Sequence, residues 1–127
     1  MKKYKVAVIG TGYIGVVHIE QLMRLPNAEL VGVTDKNQAL AAEVAERFGI
    51  RRVYASADEI MADPAIEVIH NCTPNNLHFN LNKQALLADT HVLSEKPLAL
   101  SAAESGELAR LAHQRGLSTG VNFCYRY

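Results

Sequence analysis

Lys5–Glu20 reads KVAVIGTGYIGVVHIE: a short apolar run leads into Gly10-x-Gly12-x-x-Gly15, and an apolar-periodic helix begins at once. Each glycine has a separate job at such a junction. Gly10 lets the chain turn sharply off the strand, Gly12 removes a Cβ that would obstruct a pyrophosphate, and Gly15 lets helix and strand pack closely. The helix that starts there points free N–H groups and its positive dipole end at the phosphates. This spacing alone arises by chance in many chains, so the residues downstream of it decide. The next apolar run, Ala28–Thr34 (AELVGVT), leads to Asp35, 20 residues beyond Gly15. A carboxylate in that place accepts hydrogen bonds from both ribose hydroxyls of an adenosine. Together these residues predict a dinucleotide cradle. Asp35 has a second, structural use as N-cap of a helix starting near Asn37, and the two uses are compatible.

The rest of the chain fits one domain. Its 127 residues can bury a core that needs no disulfide staple. Apolar residues make up 49% and charged residues 20%, a globular composition that excludes a disordered chain. The 13 basic residues match the 13 acidic ones, so no net field favours DNA or an anionic membrane. The apolar run after MKKYK breaks at Gly10, too early for a signal-peptide core, and no stretch approaches transmembrane length. Cys72 and Cys124 lack CxxC or Cys/His spacing and read as free, buried thiols in a reducing cytoplasm. The expectation is therefore a cytoplasmic protein with no metal site, no nucleic-acid partner and no membrane contact.

Strand and helix signals alternate to the end, which predicts an α/β fold with a parallel sheet. Strands are expected near Lys5–Ile9, Leu30–Thr34, Arg52–Tyr54, Val68–Asn71, His91–Ser94 and Ser118–Asn122. Helices are expected near Tyr13–Leu25, Gln38–Phe48, Ala57–Ala62, Asn76–Ala88 and Ala102–Arg115. Pro26-Asn27, Gly49, Asp63-Pro64 and Gly116 supply the stops, and Ser101 with Glu104 forms an S-x-x-E capping box. Right-handed crossovers then lead to a doubly wound Rossmann sheet of six strands in the order 3-2-1-4-5-6.

Ligands bind such sheets past the carboxyl ends of the strands, where the order reverses between strands 1 and 4. Thr73-Pro74-Asn75-Asn76-Leu77-His78 comes after strand 4 and Glu95-Lys96-Pro97 after strand 5, both at that edge. With GTGYIGVVH at the start, CTPNNLH, HVLSEKPLALS and VNFCYRY, the whole chain resembles the nucleotide-binding half of the Gfo/Idh/MocA oxidoreductases, such as glucose-fructose oxidoreductase and inositol dehydrogenase.

The resemblance implies a role for each matching residue. Gly10, Gly12, Tyr13, Ile14 and Gly15 would line the pyrophosphate, and Asp35 would hold the adenine ribose. Thr73, Pro74, Asn75 and His78 would border the nicotinamide ribose and ring. Glu95 would sit beside the nicotinamide, and Lys96 would reach the substrate hydroxyl as the catalytic residue. Pro97 matches a proline often preceded by a cis bond, which would aim that lysine into the cleft. Oxidising an alcohol requires loss of its hydroxyl proton as hydride leaves, and a lysine near a cationic ring in a dry cleft is suited to take it. The competing reading of Lys96 is a solvated lysine paired with Glu95. The carboxylate of Asp35 favours NAD over NADP, although Lys36 beside it leaves NADP possible.

Other features carry less. His18 fits the family's GxGxxGxxH pattern but reads as a histidine satisfied between helix and sheet, and His91 reads as structural. His70 and His113 suggest nothing specific, and Arg51-Arg52 is too small for a nucleic-acid patch. Asp89 stands where relatives place a glycine before the histidine, so it must end its helix without one. Members of the family carry a second domain that supplies most of the substrate pocket, and this chain stops where that domain would begin.

That difference leaves two functions. One is the cofactor domain of a dehydrogenase acting on a sugar, polyol or related hydroxyl compound, inactive alone. The other is a stand-alone dinucleotide sensor or regulatory module. A methyltransferase would leave Gly15, the TPNN loop and EKP unexplained. The alternation of Val121, Phe123 and Tyr125 predicts an edge that self-associates, making a homo-oligomer.

Overall fold

The computed structural model describes residues 2–122. The expectations for Cys124 and for the alternation through Phe123 and Tyr125 lie outside them. The chain runs β1 (Tyr4–Ile9), α1 (Tyr13–Arg24), β2 (Ala28–Thr34), α2 (Gln38–Phe48), β3 (Arg52–Val53) and α3 (Ala57–Ala62). It continues through β4 (Val68–Asn71), a 3-10 turn (Asn75–Leu77), α4 (His78–Leu87), β5 (His91–Glu95), α5 (Ala102–Arg115) and β6 (Thr119–Asn122). Every strand pairing is parallel and the order is β3-β2-β1-β4-β5-β6, the predicted Rossmann sheet. The order reverses between β1 and β4.

Successive side chains on a strand face opposite ways, so each central strand serves two cores. Val6 and Val8 of β1 pack with Ile19 and Leu22 of α1 and Val44 of α2. Ala7 and Ile9 belong to the other core, with Ile60 of α3, Leu86 of α4 and Leu108 of α5. Ile19 is completely buried, and its truncation to alanine would cost about 2–5 kcal/mol.

The helix ends match the sequence signals closely. Ser101 Oγ accepts from Glu104 N at 3.1 Å, and Glu104 Oε1 accepts from Leu100 N at 3.2 Å, closing the box one residue earlier than the usual reciprocal bond. Asp89 does end α4 in the left-handed region, at φ 61°, where Arg115 Nη1 donates to its Oδ1 at 2.7 Å. The start of α4 differs from expectation. Leu77 N donates to Pro74 O at 2.9 Å, so the chain first makes a tight 3-10 turn and enters the α-helix only at His78.

Tyr54, wholly buried just past β3, donates its hydroxyl to Asp63 Oδ2 at 2.7 Å. Burial, and then the bond to Asp63, pushes this phenol up to about 12. A raised folded value means that its stabilising contribution is complete below the ordinary tyrosine value of about 10 and is lost as pH rises. The loss runs through about 12. Tyr54→Phe is expected to cost about 1 kcal/mol at neutral pH and to flatten that alkaline loss, as read from denaturant melts across the alkaline range.

Candidate functional site: a cleft at the carboxyl edge of the sheet

At the end of β1 the backbone turns through Gly10 at φ 99°, and a Cβ there would lie 2.4 Å from Cys72 O. A Cβ on Gly15 would fall 1.9 Å from Gly10 O, so the first turn of α1 rests directly on the loop and only glycine fits. Gly12 differs, because a Cβ on it would meet nothing within 4 Å. It occupies the N-cap of α1 without a side-chain hydrogen bond, which leaves the first N–H groups of that helix to an outside acceptor.

Those groups border a cavity of about 810 Å³. Gly10, Gly12, Tyr13, Ile14, Asp35, Thr73 and Pro74 all line it, as do Lys36 and Ser56–Asp58. Its size suits a small organic ligand. Asp35 is held firmly in the wall. Thr11 donates its N–H at 2.7 Å and its hydroxyl at 3.1 Å to Oδ2, and Asn37 N donates to Oδ1 at 2.8 Å. Asn37, rather than Asp35, is the N-cap of α2, accepting from Leu40 N at 3.1 Å.

The other predicted residues stand around this cavity without lining it. His78 is buried, with Nδ1 2.5 Å from Pro97 O and Nε2 2.7 Å from Thr73 O, so it ties the two loops together. Asn75 opens the 3-10 turn and is exposed. Glu95, 9% exposed, has Oε1 2.5 Å from His18 Nε2 and accepts from Asn122 Nδ2 at 2.8 Å. Burial pushes this carboxyl up, but the bonds from His18 and Asn122 and the backbone bond at Lys96 outweigh it and hold it below the usual range. Lys96 is exposed at the carboxyl end of β5, its bond to Pro97 is cis, and among the described residues it forms no ion pair with Glu95.

His18 lies between helix and sheet as expected, 6% exposed, but its second nitrogen reveals a partner that spacing did not suggest. Its Nδ1 is 2.9 Å from His70 Nδ1. Burial, then the charge of His18, pushes His70 down to about 4, so at neutral pH it is an uncharged partner. Burial, reinforced by the Glu95 charge, pushes the half-buried Cys72 thiol up, which makes it a packing group rather than a nucleophile.

Sequence reasoning missed Thr11 and Asn82. Asn82 Oδ1 accepts from Asn71 at 2.9 Å while its Nδ2 donates to Ser94 Oγ and Leu98 O, each at 3.1 Å. The signal that could have found it was an amide on the buried stripe of α4, since a polar group in a core needs partners. Gly15→Ala is expected to cost about 1–3 kcal/mol or more, because the backbone must move to admit the methyl; a thermal melt checks it.

Residues 4–123 match the oxidoreductase family with an NAD-binding Rossmann fold, Gfo/Idh/MocA. Glucose-6-phosphate 3-dehydrogenase of Bacillus subtilis is 36% identical over 123 residues, covering 97% of this chain and 34% of that protein. The crystal structure of GenD2 from gentamicin A biosynthesis, in complex with NAD, superposes with a TM-score of 0.92 at 35% identity, over 96% of this chain and 35% of that one. Biliverdin reductase of Synechocystis sp. PCC 6803, solved with biliverdin and NADP+, gives 0.88 at 32% identity, over 93% of this chain and 37% of that one. The chain spans about a third of the length of the relatives it matches. No helix among the described residues is long and apolar enough to cross a membrane. With the fold, the glycine turn and nearly the whole sequence in agreement, the chain belongs to the Gfo/Idh/MocA oxidoreductase family, as its NAD-binding Rossmann domain.

Proposed function

We propose that this chain is the coenzyme-binding part of a dehydrogenase that moves hydride between NAD and a hydroxyl-bearing carbon of a sugar, polyol or related compound. One observation carries the reading: a single cavity is lined by both the uncapped N-terminus of α1 and the pinned carboxylate of Asp35. That pairing suits a diphosphate joined to a ribose. The empty space around Gly12, where even a Cβ would touch nothing, fits the same group.

Gly10, Gly12, Tyr13, Ile14 and Gly15 would hold the pyrophosphate by backbone N–H groups and the helix dipole. Asp35 would accept from the adenine ribose. Thr73, Pro74, Asn75, His78 and Glu95 would border the nicotinamide half. When bound, the nicotinamide supplies the hydride chemistry. Lys96 would take the proton of the substrate hydroxyl, with Pro97 setting its direction. A carboxylate tied by three donors cannot swing away from a 2′-phosphate, which supports NAD over NADP. The rest of a protein of the relatives' length would supply the substrate pocket, so this chain alone is expected to bind coenzyme with little turnover.

Calorimetric titration tests the reading. NAD is expected to bind more tightly than NADP, and no heat from either at millimolar ligand would end the proposal. Asp35→Ser removes a charged hydrogen-bond acceptor worth about 1.5–3 kcal/mol. It should therefore weaken NAD on the order of 10- to 100-fold and narrow the preference.

A further inference from the structure

We propose that Lys96 is held in place by two buried histidines, His18 and His78, which grip the residues on either side of it. The inference rests on the reading of Lys96 as the proton-accepting group. His18 reaches Glu95, the residue before the lysine, at 2.5 Å, and His78 reaches the carbonyl of Pro97, the residue after it, at 2.5 Å. Lys96 itself is exposed and carries a long flexible stem, so its backbone position decides where its amine can reach.

Each histidine comes from an element that also borders the coenzyme cavity. His18 sits on α1, one turn past Gly15, and His78 holds Thr73 O at 2.7 Å with its other nitrogen. The glycine turn and the Thr73 loop are thereby linked through packed polar contacts to both flanks of the lysine. A small displacement matters at such a place, since about 1 Å of misplacement costs on the order of 100-fold in rate. Asn122 adds a second donor to Glu95, and Asn82 anchors Leu98 O just beyond Pro97, so the whole turn is fixed from beneath. His18 and His78 are positioning residues in this scheme, because neither needs to touch the reacting atoms.

The purified chain tests this with no turnover required. Its lysines are labelled by reductive methylation with carbon-13, the Lys96 signal is assigned by its loss in Lys96→Arg, and NAD+ is added to saturation. The expected result is a coenzyme-induced shift of the Lys96 signal that is lost in His18→Leu and in His78→Leu. His18→Gln, which keeps a donor toward Glu95, should restore it. Persistence of the full shift in the folded leucine variants would overturn the proposal. Should those variants fail to fold by circular dichroism, Asn122→Ala takes their place: a reduced shift supports the proposal and an unchanged one overturns it. Should the natural chain bind NAD+ with no Lys96 shift at all, the reading of Lys96 as the base falls and this proposal with it, an outcome distinct from failure in the variants alone.

Discussion

At the end of β1 three pieces of backbone meet with no room for a side chain between them. Gly10 turns against the carbonyl of Cys72, and Gly15 lies against the carbonyl of Gly10. This contact brings the start of α1 down onto the gap between β1 and β4, where the strand order reverses. Everything at the carboxyl edge takes its position from that approach. If α1 stood off by the width of a methyl group, His18 would no longer reach Glu95, and the unpaired N–H groups at Gly12 would face a different part of the cleft.

The polar groups beneath the cleft form two sets of links. One runs from His70 through His18 to Glu95 and Asn122, crossing β4, α1, β5 and β6. The other runs from Thr73 through His78 to Pro97, with Asn71, Asn82 and Ser94 supporting it from the strands and α4. Buried polar groups are costly unless paired, and among the described residues every buried side-chain polar atom has a partner. Such satisfied networks hold a unique geometry where apolar contacts alone would permit several. The loops after β4 and β5 are therefore tied into the sheet despite lying at its edge.

Much of this was legible in the residues. The Gly10-x-Gly12-x-x-Gly15 turn, the acid at Asp35 and the alternating elements predicted the sheet order, because each depends on local spacing or on the handedness of a crossover. Helix ends at Gly49, Asp63 and Gly116 were readable for the same reason. The start of α4 was harder, since a 3-10 turn and an α-helix share nearly the same local preferences. His70 offered no signal at all. Its partner stands on another element 52 residues away, and nothing in its neighbourhood marks it as special.

The amino-acid sequence by itself determined which elements form, where they stop and that a glycine turn would meet a carboxylate at one edge, because these depend on periodicity, φ preferences and chain order. Only the tertiary structure decided what the polar side chains do there. Thr11 and Asp35 are 24 residues apart and His18 and Glu95 are 77 apart, and these pairings exist only once the parallel strands set the register between them. A hydrogen bond needs a specific distance and direction, and the pattern along one strand or helix does not carry the position of an atom on another.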